Sequence, residues 1–288
     1  MVNNEQSGKG KMIPIRVKQF PNFFLDVVNR NKILKKPLQS QRKFYLCYFC
    51  CASYFKYIYC SLHSLANHIT DTPFSVLIFN DDEQPLSDRQ IDVLQELIPG
   101  TEVISWPKSM GWGSSQISNI WRAYGKASEY ANDEDIIARV DADVFFFNDR
   151  IFQLVKRSNA DLIGDGHYVG FKYTQGGCYF FKASAINKIN KMLSKESIDQ
   201  VLSEIDITVE DIAAFHFAKR LKLKICMTWF MMFPDEIRNA GKLTLWLKWK
   251  FSCAHFVMKN KTIMLDFYMS ECLRGKALTD FLRTIETS

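Results

Sequence analysis

Two aspartates set two residues apart, Asp141 and Asp143, interrupt a stretch from Ile136 to Phe147 that is apolar except for them and Arg139. A buried strand could not house both, because an unpaired carboxylate taken out of water is very costly. A strand that ends at Asp141 instead delivers both side chains to the carboxyl edge of a sheet, where open α/β sheets hold their ligands. On extended backbone, positions i and i+2 point the same way, so the two carboxylates can share one cation. Hard oxygen donors of this kind suit Mg²⁺ or Mn²⁺, ions that commonly arrive with substrate phosphates. A charged turn between strands explains the same two residues more plainly, and the rest of the chain has to discriminate.

The flanking sequence predicts the elements that would position them. Phe44 to Cys51 reads as a strand rich in aromatics and cysteine. Leu62, Leu65, Ala66 and Ile69 then recur at helical spacing, and Phe74 to Phe79 reads as a second strand closing on Asn80-Asp81-Asp82. Ser87-x-x-Gln90 makes a capping box for a helix that Pro99-Gly100 stops. A short strand over 102–105 and a helix marked by Ile117, Ile120, Trp121 and Tyr124 lead into the strand that ends at Asp141. Strands alternating with helices at this spacing indicate βαβ units, hence an α/β fold with a mainly parallel sheet. Beyond it, 160–163 and 177–181 read as strands, Ile186 to Leu193 and Thr208 to Leu221 as helices, 225–232 as a strand or buried loop, and 270–287 as one C-terminal helix.

Other residues with chemical potential fall at the ends of these elements. Gly111-Trp112-Gly113-Ser114 precedes the third helix, whose free N–H groups make a plausible phosphate or sugar contact, with an ordinary loop and cap as the alternative. Gly176-Gly177 opens a strand, and a simple turn explains it. Glu210-Asp211 opens a helix, where acids also serve as caps. His255 comes late in the chain, with Lys259 and Lys261 following as cations able to steady a diphosphate.

In this order, strand–Asp-X-Asp, Gly-Gly turn, Glu-Asp helix and late histidine, residues 43–260 resemble the GT-A-fold glycosyltransferases, which use nucleotide-diphosphate sugars and a divalent metal. No single motif is specific and no subfamily is identified. The resemblance implies a GT-A-like (Rossmann-like), mainly parallel central sheet flanked by helices. It divides the chain into a basic N-terminal extension, 1–42, the transferase domain, 43–260, and a helical C-terminal extension, 261–288. It implies that Asp143 and His255 ligate Mn²⁺ or Mg²⁺, with Asp141 completing the metal and ribose end. Ser53, Tyr54 and Asp81 would hold the nucleoside of a UDP- or GDP-sugar. Gly113, Ser114, Asn119, Arg139, Ala142, Gly176, Gly177 and Lys259 would contact the rest of the donor. Asp211 would act as the base that deprotonates an acceptor hydroxyl, with Glu210 as its close competitor, and the anomeric carbon would invert. The acceptor, whether glycan, lipid, protein or small molecule, is left open.

Composition sets the outer bounds. At 288 residues and 47% hydrophobic, the chain can bury a sizeable core. The net charge of +6 is uneven: residues 1–43 hold ten Lys/Arg against Glu5 and Asp26, which makes that segment +8 and the remainder −2. Such an arm is a solvated terminus, or else a contact for nucleic acid, an anionic membrane surface met peripherally or a polyanionic acceptor; the glycosyltransferase resemblance leaves no nucleic-acid partner expected. Eight scattered cysteines without a framework fit a cytoplasmic, reducing setting. Cys47-x-x-Cys50 has half the spacing of a zinc site, with no second half to complete it. No secretory signal is visible, and the apolar run 44–58 falls short of the ~20 residues that span a bilayer.

Three rival readings remain. A haloacid-dehalogenase-type phosphatase would use Asp141-Ala142-Asp143 with Gly164-Asp165-Gly166, but the interval leaves too little chain for its remaining elements. A non-catalytic polyanion- or glycan-binding module would grip its ligand through the basic arm and the Trp246/Trp249 region, leaving Asp141 and Asp143 dispensable. A nucleotidyltransferase should carry a Gly-rich loop after the first strand, and Cys50-Cys51-Ala52-Ser53 has no glycine.

Overall fold

The computed structural model describes residues 26, 28–38, 42–109, 111, 113–205, 209–233, 251–257, 261–273 and 275–287. Its centre is β1 (Phe44–Cys50), buried along its whole length. Seven aromatic, aliphatic and thiol side chains in succession can only form a strand whose two faces are both covered. Phe44, Leu46, Tyr48 and Cys50 enter one core, and Tyr45, Cys47 and Phe49 enter the other. Cys47 and Cys50 therefore point to opposite faces and cannot chelate one ion together.

Around β1 a seven-stranded sheet runs in the order β3 (Glu102–Trp106), β2 (Phe74–Asp81), β1, β4 (Ile136–Val140), β7 (Cys178–Lys182), β6 (Leu162–Gly164) and β8 (Ile225–Met227). The pairings β1–β2, β2–β3, β1–β4 and β6–β8 are parallel. Only β7 runs against its neighbours, because β6 reaches it through a loop with no crossover helix to restore direction.

One face is covered by α1 (Phe55–His68), α2 (Asp88–Leu97) and α4 (Arg150–Arg157), through residues such as Ile58, Leu94 and Phe152. The other is covered by α3 (Ser114–Ser128), α5 (Ala183–Leu193), α6 (Ile198–Leu202) and α7 (Glu210–Arg220), through Trp121, Ile186, Val201 and Phe217. The box that starts α2 closes in both directions: Gln90 N donates to Ser87 Oγ at 3.2 Å, and Ser87 N donates to Gln90 Oε1 at 3.0 Å.

A smaller sheet joins β5 (Val144–Phe146), β10 (Cys253–His255) and β9 (Met231–Met232). The apolar run around the two aspartates is thus two strands in two sheets, with Asp141 and Asp143 at the corner between them. The predicted C-terminal helix is likewise two, α8 (Lys261–Cys272) and α9 (Lys276–Thr287). Gly275 separates them with φ +56°, a left-handed turn that no continuous helix contains. Both pack on the α1 face, where the Tyr268 and Phe281 rings lie 4.8 Å apart. Of the N-terminal extension, residues 28–34 are helical, and Arg30 NH1 donates to the Trp229 carbonyl at 2.8 Å. Among the described residues no helix is long and apolar enough to cross a membrane.

Candidate active site

The corner after β4 is fixed by backbone. Asp141 N donates to Gly177 O at 2.7 Å, and Val144 N donates to Asp141 O at 3.1 Å. The antiparallel register of β5 with β10 sets His255 opposite Val144, and Phe256 N donates to Asp143 O at 2.9 Å. His255 Nε2 consequently lies 3.2 Å from Asp143 Oδ1 and 3.6 Å from Asp141 Oδ2. One ligand atom from each of the three falls within 4.8 Å of the others. Two carboxylate oxygens and an imidazole nitrogen make a donor set that fits a hard or borderline divalent ion. Electrostatics agree. Burial works against a charged His255, yet Asp143 and then Asp141 outweigh it and raise the imidazole's pKa, so the carboxylates select positive charge at this spot.

Two cations border the cluster. Lys261, the first residue of α8, places Nζ 3.3 Å from Asp143 Oδ2 and over the Tyr54 ring, 3.8 Å from its centroid, while bonding the Tyr54 hydroxyl. Arg139, on β4, donates from Nε to Asp141 Oδ1 at 2.9 Å and from NH1 to Glu210. For Asp141, burial is the largest influence and pushes upward, but Arg139, His255 and Lys261 together hold the carboxyl below its ordinary range. Glu210 behaves oppositely. Burial pushes it up to about 8, with Asp211 and Asp141 adding to the effect against the pull of Arg139. The ion pair alone would keep Glu210 low, and burial outweighs it. Tyr124 donates to Glu210 Oε1 at 3.4 Å and shares a hydrogen bond with Tyr179 at 2.8 Å. Asp211 accepts from Gly176 N at 3.0 Å and Ile212 N at 2.8 Å, and burial raises its pKa.

These groups line a cavity of about 650 Å³. Of the residues expected from sequence, Tyr54, Arg139, Asp141, Ala142, Asp143, Gly176, Glu210, Asp211 and His255 line it. Phe49, Ser109, Tyr173 and Lys261 also line it. Lys261 was legible only as a neighbour of a diphosphate, and Phe49 and Tyr173 carried no signal beyond their aromatic type. A cleft of similar size, about 660 Å³, lies along α3 between Trp106 and Asn190. Its Lys126 and Glu129 pair with one another, and no acid cluster converges there.

The other expected residues do not line the cavity. Ser53 pairs with Cys51 Sγ at 3.2 Å. Asp81 Oδ1 accepts from Glu83 N at 2.9 Å and Gln84 N at 3.3 Å, so its carboxylate closes its own turn. Gly113 and Ser114 are the N-cap and first residue of α3. Asn119 donates from Nδ2 to Lys108 O at 2.8 Å. Gly177 stands behind His255 rather than in the wall. Lys259, Thr208, the Trp246/Trp249 region and residues 1–25 of the basic arm lie outside the described residues. Asp165, which a phosphatase of the haloacid-dehalogenase type would need beside Asp141, is fully buried and does not line the cavity.

No protein-family model matches the chain, and no curated protein matches it. Among solved structures, an active-site mutant of LgtC matches with a TM-score of 0.52 at 14% identity, over 84% of this chain and 95% of that one. The bifunctional glycosyltransferase WbbM in its apo form matches with a TM-score of 0.53 at 10% identity, over 86% of this chain and 52% of that one. The chain thus spans about half the length of WbbM. LgtC, described as a galactosyltransferase in complex with donor and acceptor sugar analogues, gives 0.48 at 12% identity, over 82% and 99%. At such identities the likeness is one of fold, and function must be argued from the site. The chain has the GT-A-type fold that these glycosyltransferases share.

Proposed function

We propose that the protein is a metal-dependent glycosyltransferase that moves a sugar from a nucleotide-diphosphate donor, a UDP- or GDP-sugar, to an acceptor hydroxyl. The observation that carries this reading is the convergence of Asp141, Asp143 and His255 on one wall of a cavity whose adjoining wall holds Asp211. Asp143 and His255 would hold Mn²⁺ or Mg²⁺, with Asp141 completing the set. The ion's contribution, when bound, is positive charge beside the diphosphate leaving group.

The chain's own residues do the rest. Lys261 Nζ, already beside Asp143, supplies a second positive charge to the diphosphate. Tyr54 presents its ring at the nucleoside end, and Arg139 fixes Asp141. Gly176, with no side chain, lets the donor sugar approach the backbone beside Asp211. The acceptor oxygen attacks the anomeric carbon, the bond to the diphosphate breaks, the nucleoside diphosphate leaves, and the acceptor proton passes to Asp211. Glu210 is the lesser candidate for that proton because it is ion-paired with Arg139, whereas Asp211 accepts only from the main-chain N–H groups of Gly176 and Ile212. Direct displacement of this kind inverts the anomeric centre.

Isothermal titration of UDP and GDP, each with and without Mn²⁺, tests the donor site on wild type and Asp143→Ala. Binding that requires the metal and disappears in the variant is expected. Metal-independent binding, or none to either nucleotide, overturns the reading in favour of a non-catalytic binding module. The anomeric configuration of the product, read by NMR, tests Asp211 separately: retention removes its role as base and leaves the metal site standing.

A further inference from the structure

His255 is held in place by an uncommon means. A metal-binding histidine ordinarily donates from its second ring nitrogen to a carbonyl or carboxylate, and that hydrogen bond sets the ring's orientation. His255 Nδ1 is buried and has no such partner among the described residues. What bears on the ring instead is backbone. Gly177, at φ +98°, lies so close that a Cβ there would fall 2.7 Å from His255 Cε1 and 2.8 Å from Cγ. Phe233 covers a second side, with ring centroids 5.8 Å apart. The ring's orientation therefore depends on how the loop 165–177, which carries Gly177, is set against β9 and β10.

One carboxylate sets both. Asp165 follows β6 and is 0% exposed. Its Oδ2 accepts from Phe230 N and Met231 N, each at 2.7 Å. That fixes the start of β9, which pairs in register with Cys253 and Ala254 of β10, immediately before His255. Its Oδ1 accepts from His167 N at 3.0 Å and lies 2.6 Å from His167 Nδ1, closing the start of the loop. The Asp165 carbonyl accepts from Gln175 N at 2.6 Å, closing the end of the loop just before Gly176 and Gly177. The neighbours of Asp165 are glycines for a reason of space. A Cβ on Gly164 would fall 2.7 Å from Thr174 Cβ, and one on Gly166 would fall 3.0 Å from Tyr173 O. Four donors converging on one dry carboxylate is what its burial requires.

We infer that Asp165 is a positioning residue for His255: it locks the loop 165–177 against the β9–β10 platform and so holds the imidazole where it can ligate a divalent ion beside Asp141 and Asp143. This rests on the reading of those three residues as a metal site. The fold supplies its own control. Asp161, at the other end of β6, also accepts a backbone N–H through its carboxylate, from Lys224 at 2.9 Å. It performs the same chemistry on the same strand and touches neither Gly177 nor β9.

The test measures Mn²⁺ binding by electron paramagnetic resonance on full-length wild type, Asp165→Asn, Asp161→Asn and Asp143→Ala. Imidazole NMR of His255 in the metal-free proteins accompanies it. Asp165→Asn places an amide donor against backbone N–H groups. It is expected to weaken Mn²⁺ binding about tenfold or more, the scale of lost outer-shell partners, and to shift the His255 ring signals without metal. Asp161→Asn is expected to stay within about twofold of wild type. If Asp165→Asn does not fold, Asp165→Glu, which keeps the charge and displaces it, is read in the same way. Mn²⁺ binding as tight as wild type overturns the positioning role. Equal binding by wild type and Asp143→Ala overturns the metal site instead. In that case unmoved His255 signals in Asp165→Asn overturn the positioning role, and shifted ones uphold it.

Discussion

Two strands that flank β1 end in aspartates, and the two ends behave oppositely. After β2, Asp81 turns its carboxylate onto the amides of Glu83 and Gln84, and its charge is satisfied within its own turn. After β4, Asp141 and Asp143 face an imidazole, a lysine and an arginine drawn from β10, α8 and β4 itself. A carboxylate that caps its own loop has little left to offer a ligand. Carboxylates that converge repel each other and need a cation from elsewhere, which makes them a binding site.

The sharpest way to break this comparison is to delete one carboxylate from each end. Asp143→Ala is expected to reduce metal-dependent nucleotide binding by about 100-fold or more, since one of three ligands is lost. Asp81→Ala should leave that binding within a few-fold and lower stability by about 1–3 kcal/mol through its orphaned amides. Titration calorimetry and thermal melts on both variants decide it. Comparable loss of binding in the two would mean that the end of β2 is as much a part of the site as the end of β4.

Glycines offer the next contrast. Gly177 and Gly113 both have positive φ, +98° and +117°, where any side chain is strained by about 1–2 kcal/mol. Their surroundings differ. A Cβ on Gly177 would drive into the His255 ring, whereas one on Gly113 meets the movable end of Gln116 at 3.0 Å. Gly177→Ala is therefore expected to cost about 10–100-fold in Mn²⁺ affinity, as lost support around a ligand does. Gly113→Ala should cost stability alone. A Gly177→Ala protein with unchanged affinity would show that the His255 ring can retreat.

Much of this fold was legible in the chain because long elements repeat their signal. The run from Phe44 could only be a strand covered on both faces, and Ser87 with Gln90 announced the start of α2. The small sheet was not legible. β5, β9 and β10 are two or three residues each, too short for alternation to register, and the β5–β10 pairing joins residues about a hundred positions apart. His255 could be suspected from its place in the chain, but its approach to Asp143 depends on that register. Asp165 was legible only as the late acid of a phosphatase motif, because its real partners include main-chain amides, which look alike at every residue. The cavity's aromatic wall, Phe49 and Tyr173, was hidden for a similar reason: an aromatic in a strand or loop is usually core.

A milder contrast concerns lysines. Lys261 sits against Asp143 at 20% exposure, while Lys108 pairs with Glu83 beside the β2 turn with both partners largely in solvent. Exposed pairs contribute little, and a charge-assisted contact in a half-closed site contributes more. Lys261→Met is expected to raise the donor KM about tenfold and Lys108→Met to change it less than about twofold. Steady-state kinetics over a donor series tests both, and equal effects would return Lys261 to the ordinary surface.

The last expected effect is one of slope, and it compares the two ends of β4. Glu134, just before the strand, pairs with Lys182 and Arg42; modest burial pushes upward, and these two cations outweigh it and lower its pKa. Glu210, at the other end, pairs with Arg139 yet is pushed by burial up to about 8. The signs of linkage are therefore opposite. Glu134 adds stability above the ordinary carboxylate range and loses it as pH falls through its lowered pKa. Glu210 keeps a proton in the folded chain between its ordinary value of 4.5 and about 8, while the unfolded chain has released it. Stability falls as pH rises through that window and is then flat for this group. Glu210→Gln cannot ionise, so its melting temperature should stand several degrees higher relative to wild type at pH 8.5 than at pH 5, corresponding to about 4 kcal/mol at most. Any fixed loss from the changed contact with Arg139 shifts the whole curve and leaves this slope untouched. Glu134→Gln should show no such gap between pH 5 and 8.5, its difference from wild type appearing only in more acid solution. Parallel curves for wild type and Glu210→Gln across pH 5 to 8.5 would mean that Arg139 keeps Glu210 ionised throughout, and the two ends of β4 would then be electrostatically alike.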